Sequence, residues 1–339
     1  MALIDKLTAI GDAVRGKTGT TEKLTLEQMA TEIEGIQTGN ADEGLICAIE
    51  RIATEVTLPR GLTTIGYSAF YDYKNLVSIS LPIGLESIGE RAFRECVNLT
   101  SVNISDGLIE IGVSAFNSCK NLSSVTLPSS LKNIRDHAFN GCTNLALTSL
   151  PDGLTYIGDY AFNNCTNLSL TSLPDGLTIL ENYTFWCCKN LTLTSLPSEL
   201  TEIGNDVFNG CTNLALTSLP DGLTKIGGRA FNGCTNLALT SLPDGLTNIG
   251  SDAFGRCPNL TLTTLPLGLT SVGSDAFINC AGLTEITFQS KLGKTSLSSS
   301  AFNGCTNLTT INVPWAEGEV SGAPWGATNA TINYNYTGE

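Results

Sequence analysis

Phenylalanine recurs every 23 residues through most of this 339-residue chain, at Phe70, Phe93, Phe116, Phe139, Phe162, Phe185, Phe208, Phe231, Phe254 and Phe277, and Phe302 follows after 25. A fixed period in the twenties restricts the fold severely, because a unit that short buries its apolar face only against its own copies on either side. Cysteine keeps the same step. Ten of the twelve cysteines lie three residues after those phenylalanines, from Cys96 to Cys305, Tyr73 takes the place in the first coil, and only Cys47 and Cys187 stand outside. Two residues beyond each ladder cysteine comes an Asn, from Asn98 to Asn307 with Gly282 as the exception, and a Leu follows directly. The unit reads C-x-N-L-x-x-V-x-L-P-x-x-L-x-x-I-G-x-x-A-F-x-x.

One coil offers about six apolar side chains worth roughly 1.5 to 3 kcal/mol each on burial, against roughly 1 to 2 kcal/mol of backbone entropy for every residue ordered. A single coil therefore does not fold, and a stack does. Within a coil "SSVTL" alternates as a strand, Pro128 and its equivalents end the strand, and "RDHAFNGC" has the length of one or two helical turns. The "PDG" triplets at Pro151, Pro174, Pro220 and Pro243 supply turn chemistry. The expected architecture is an α/β repeat solenoid with a parallel sheet on one face. Strands about 4.8 Å apart give its eleven coils a length of about 50 Å.

The unit "LPSSLKNIRDHAFNGCTNL" and its copies, from about residue 46 to residue 313, resemble the BspA-type leucine-rich repeat of bacterial surface proteins, protist surface proteins and phage-encoded proteins. The resemblance implies a right-handed solenoid used for adhesion, with no catalytic residues shared across the family. Residues 46–313 are then the solenoid and 314–339 a C-terminal cap.

The N-terminus follows a different logic. Leu3, Leu7, Ile10 and Val14 have helical spacing, as do Leu26, Met29, Ile33 and Ile36, and Thr25 with Gln28 forms a capping-box signature. Two short amphipathic helices are expected over residues 1–37, joined to the solenoid by a linker over 38–45. This segment is similar to N-terminal segments of phage and prophage tail proteins of gut Firmicutes, and "VPWAEGEVSGAPWGATNATINYNY" is similar to endings in the same group. Those similarities imply a tail fibre or tail-tip component, assembled in the bacterial cytoplasm and carried in the virion. Its helices would dock to other tail proteins and its solenoid would recognise a host-surface glycan or protein. The alternative is a bacterial cell-surface adhesin of the same repeat family. Association with further copies of the chain fits both.

A formal net charge of -14 disfavours a phosphate backbone as partner, and no apolar run approaches the roughly 18 residues of a membrane span. The stretch "GDAVRGKT" at residues 11–18 matches the P-loop pattern. A P-loop needs a strand ending at its first glycine and a helix starting at its lysine. Here a helical pattern runs up to Gly11 and a polar turn follows Lys17, so the match reads as the end of a helix. His137, the only histidine, has no partners for a triad or a zinc set. The expectation is a chain without enzymatic activity or cofactor.

Three groups admit two readings each. Stacked thiols about 5 Å apart lie within disulfide range, yet parallel stacking points them the same way and suits a small buried hydrophobe. Asp152 with Asp175, and Asp221 with Asp244, could share calcium or simply serve Asp-Gly turns. Trp315 and Trp325 could stack on a sugar or close the last coil.

Coils from Asn144 to Leu265 replace "NLSSVTL" by "NLALTSL", placing Leu147, Leu170, Leu193, Leu216, Leu239 and Leu262 where other coils mostly carry Ser. If the strand register holds, these six leucines form an exposed stripe beside Ser149, Ser172, Ser195, Ser218 and Ser241, a candidate partner-binding face. A bulge would instead tuck them into the core.

Overall fold

The computed structural model describes residues 54–289 and 296–337, and the chain divides into two compact units, one up to Ala146 and one from Leu147 onward. The N-terminal segment expected to be helical, with Leu3, Leu7, Ile10, Val14, Leu26, Met29 and Ile33, lies outside the described residues, as do Lys17 and the linker.

In the first unit each coil gives two short strands: β1 (Glu55–Thr57), β2 (Thr64–Ile65), β3 (Ser78–Ser80), β4 (Ser87–Ile88), β5 (Ser101–Asn103), β6 (Glu110–Ile111), β7 (Ser124–Thr126) and β8 (Asn133–Ile134). Odd-numbered strands pair in parallel as one sheet and even-numbered strands as another. The register is one repeat, so Val56, Ile79, Val102 and Val125 are successive partners and all buried. The flanking residues of each three-residue strand are not buried, which is the alternation that "SSVTL" announces.

The second unit contains β9 (Tyr156–Ile157), β10 (Ile179–Leu180), β11 (Glu202–Ile203), β12 (Lys225–Ile226), β13 (Asn248–Ile249), β14 (Thr264–Leu265), β15 (Ser271–Val272), β16 (Glu285–Phe288), β17 (Ser296–Leu297), β18 (Thr310–Asn312) and β19 (Thr331–Asn333). Strands β10, β11, β12, β13, β15 and β17 form one parallel sheet, and β14, β16, β18 and β19 another.

Among the described residues no segment is helical, which corrects the α/β expectation: "RDHAFNGC" and its copies are consecutive turns. Two residues per coil, four apart, take the left-handed conformation and reverse the chain around the buried Ala-Phe pair. Ser68 and Asp72 have φ of 54° and 61°, and Asp206 and Gly210 have 56° and 75°. That geometry interrupts any helical ladder. The turns bond between coils instead, as where Phe208 N donates to Ala230 O at 2.7 Å and Gly210 N to Asn232 O at 2.8 Å.

The phenylalanines stack face to face within each unit. Centroids lie 5.1 to 5.2 Å apart from Phe70 to Phe139 and 5.3 to 5.8 Å apart from Phe162 to Phe302. Each ring is fully buried, and Phe93, Phe116, Phe185, Phe208, Phe231, Phe254 and Phe277 each lie between two copies of themselves. Phe208→Ala is therefore expected to cost about 3 to 5 kcal/mol, read as a lowered midpoint in thermal or denaturant unfolding; a shift worth under 1 kcal/mol would contradict this packing.

The segment after residue 313 contains a further, degenerate coil. Ile332 pairs with Ile311 in register, and Gly326 repeats the left-handed turn of Gly304. Ala330 N donates to Ala327 O as Leu308 N does to Cys305 O. Ala327 and Ala330 thus stand where the preceding coil has Cys305 and Leu308, and the lost volume is filled from the side. Trp325 is fully buried, Trp315 nearly so, and Phe288 meets their rings at centroid distances of 6.1 and 5.3 Å. Both tryptophans belong to the interior of the last coils, and neither offers an open face to a sugar.

Candidate binding surface

In the first unit the third residue after each ladder Leu is buried and its neighbours are not, as in Ser123, Ser124, Val125 and Thr126, which run exposed, exposed, buried, exposed. In the central coils the phase slips. Thr192, Leu193, Thr194, Ser195 are exposed, buried, exposed, exposed, so the two-residue outward arch lies two positions later in the coil. Coil length is unchanged because the arch is moved and no residue is inserted. A one-residue slip exchanges the faces of a strand, and it takes Leu170, Leu193, Leu216, Leu239 and Leu262 into the core, with Leu147 half-buried. The exposed leucine stripe is thereby corrected: these side chains are interior. Backbone bonding shifts with them. Ser123 N donates to Thr100 O, one full repeat back, whereas Thr261 N donates to Leu239 O, 22 residues back.

What the arches expose is Thr-Ser. Ser149, Ser172, Ser195, Ser218 and Ser241 are exposed, each beside an exposed Thr. The sheet of β10 to β13 carries a second hydroxyl row. Thr201, Thr224, Thr247 and Thr270 are exposed, and each bonds the carbonyl of its predecessor in the coil before at 2.9 to 3.1 Å. Asp152, Asp175, Asp221 and Asp244 are exposed at their turns, and among the described residues no group of three or more His, Cys, Asp or Glu is placed to hold a metal ion.

The ladder cysteines are buried and unpaired as disulfides. Each bonds the coil before it: Cys96 Sγ donates to Phe70 O at 3.0 Å, Cys211 to Phe185 O at 3.0 Å and Cys280 to Phe254 O at 2.9 Å. The thiol thus satisfies a carbonyl within the core while costing little to desolvate, which alanine cannot do. Burial pushes the thiols of Cys211 and Cys234 well above the ordinary value, that of Cys257 to about 12 and that of Cys305 to about 11. Such groups are inert as nucleophiles. Cys187 is half-buried, beside Lys189, and burial raises its thiol too. Alkylation of the native protein at pH 8 is expected to modify Cys187 first among the described cysteines, and modification of most ladder thiols at that rate would contradict their burial.

His137 occupies the first left-handed position of its coil, with φ of 57°, and is half-buried. That row, Ser68, Arg91, Ser114 and His137 in the first unit, is set by backbone geometry, a constraint hidden in the sequence by the variety of residues it accepts.

The model of the "BspA type Leucine rich repeat region" matches residues 50–148, 132–261 and 214–318. Among solved structures, a leucine-rich repeat protein from Bacteroides ovatus is 25% identical, with 84% of each chain covered and a TM-score of 0.55. The pneumococcal vaccine antigen PcpA is 22% identical, covering 83% of this chain and 79% of that one, with a TM-score of 0.58. A leucine rich cell surface protein from Faecalibacterium prausnitzii is 25% identical, covering 79% and 89%, with a TM-score of 0.49. No curated protein matches the chain significantly. The 23-residue coils, the Phe and Cys ladders and this match over residues 50–318 agree, and the chain belongs to the BspA-type leucine-rich repeat family.

Proposed function

We propose that this chain is a non-enzymatic, adhesion-type binding protein exposed at a bacterial cell surface, taking a host glycan or protein as its partner. The observation that carries the reading is a division of labour within the coil. The thiols, which could do chemistry, are committed to the core by burial and by bonds to Phe carbonyls, while the outward positions repeat from coil to coil. Repetition of weak contacts along a solenoid supplies avidity that one coil lacks. Family membership supports the same reading. The finer assignment, a phage tail component docking through residues 1–37, rests on the resemblance of the two termini alone and is the second reading.

Beads coated with the full-length protein are expected to adhere to host epithelial cells above the level of albumin-coated beads, and soluble protein is expected to compete. Equal retention of both bead types would remove the adhesion assignment.

A further inference from the structure

The coils of the second unit are close copies, yet one stretch departs from the rest at its outward positions. At the first left-handed position, where the first unit has Ser68 and Ser114, the second unit has Tyr160 and Tyr183 on consecutive coils. Their rings stack with centroids 4.4 Å apart and planes within 6°. A bulky side chain there carries a steric penalty that Gly escapes and Asn or Asp bear better. Three residues on, in the row of Asn163, Asn209 and Asn232, stands Trp186, half-buried. Ile179, on the strand leading into the same turn, is 42% exposed. Large amphipathic side chains are thus gathered on two coils, where the next coil has Glu202, Asp206 and Asn209 at the positions of Ile179, Tyr183 and Trp186.

The surroundings are acidic. Residues 147–224 contain eight carboxylates and one cation, Lys189, a net charge of -7. Asp159 and Glu181 are half-buried, one residue before Tyr160 and two before Tyr183, with Asp159 Oδ1 accepting a hydrogen bond from Asn182 Nδ2 at 3.2 Å, and Glu202 follows on the next coil, paired with Lys225. Asp206 is buried beside Tyr183 and takes a hydrogen bond from Asn209 Nδ2 at 2.7 Å. Its charge holds the Tyr183 phenol protonated and so a donor.

We propose that this island, Tyr160, Tyr183, Trp186 and Ile179 rimmed by Asp159 and Glu181, is a docking site for a basic polypeptide segment. The proposal rests on the adhesion reading and deepens it by naming the partner's chemistry. Arginine and lysine fit both features at once: the cationic head pairs with carboxylates and lies against aromatic rings, and the stem covers Ile179. A neutral sugar would use the rings and leave the net negative charge of these coils without a role. The net charge of the whole chain steers the same class of partner.

Two variants test the site. Tyr160→Ser/Tyr183→Ser/Trp186→Asn puts in residues found in the same rows of sibling coils, and Asp159→Asn/Glu181→Gln removes the rim charge. The probe is a deca-arginine peptide at 150 mM salt, with a neutral Gly-Ser decapeptide and cellohexaose alongside. Trp186 is the reporter, since Trp315 and Trp325 are buried. Deca-arginine is expected to change the tryptophan emission of the native protein and of the charge variant, and calorimetry, which needs no reporter, compares all three proteins: the native protein is expected to bind at least tenfold more tightly than the triple variant and at least threefold more tightly than the charge variant. Equal affinity for all three proteins would show general attraction to an acidic surface and overturn the proposal, as would a response to cellohexaose and none to the peptide. If the triple variant loses its cooperative melt, the charge variant decides alone. The measurement uses purified protein, so its outcome is separate from whether the chain resides at a cell surface.

Discussion

Replacing Leu193 and Leu216 together with aspartate is expected to abolish the cooperative unfolding transition of the second unit. Both leucines are fully buried on consecutive coils of that unit, between residues that are equally buried. An aspartate at either place has no cation within the coil interior to pair with, and an unpaired carboxylate in such surroundings costs several kcal/mol even after it takes up a proton. Two of them on neighbouring coils act on one stacked core, and a solenoid whose coils are unstable alone loses the coils beyond the break as well. The measurement is circular dichroism with limited proteolysis. A double variant that melts near the native temperature and resists protease would return the leucines to the surface.

Stability is expected to collapse above about pH 9, more steeply than lysine or tyrosine titration alone would bring about. Burial raises the pKa of eight ladder thiols, Cys119, Cys142, Cys188, Cys211, Cys234, Cys257, Cys280 and Cys305. An unfolded thiol ionises at about 8.5, and the folded one remains protonated above that. Below that value both states hold the proton and the contribution is complete. Above it the unfolded chain binds fewer protons than the native one, so stability falls as pH rises, by about 1.4 kcal/mol per thiol per pH unit. Six of the eight lie in the second unit, which makes the slope there roughly 8 kcal/mol per pH unit if that unit unfolds as one. Thermal scans between pH 8 and pH 10.5 under reducing conditions test it. A flat profile would contradict the burial of the ladder.

The period carried most of the fold because it is a statement about packing: a residue type that returns every 23 positions meets itself in the next coil, and the Phe stack and the Val-Ile register follow. The turn segment was harder to read. "AFNGC" has helical length and an apolar face, and what decides against a helix is the pair of left-handed residues, a row that accepts Ser, Arg, His, Tyr and Asp alike. The leucines of "NLALTSL" admitted two placements for a related reason. Equal coil length conceals a slip in phase, and only the spacing Leu-x-x-Leu, with Leu216 and Leu219 both buried, signals it. The degenerate last coil was concealed by the shrinkage of its marker residues to Ala327 and Ala330. Tyr160, Tyr183 and Trp186 escaped attention because repeat analysis looks for what recurs, and the island is what does not. A row-by-row comparison of outward positions would have found it.

Protease shaving of intact bacteria that make this protein tests the functional account most directly. An adhesion protein displayed outside the cell yields peptides from the central coils, between Leu147 and Leu265, in the supernatant while cytoplasmic markers stay inside, and the shaved cells lose adherence. If the chain survives on intact cells and is recovered instead in purified phage particles, the cell-surface assignment is contradicted and the tail assignment takes its place.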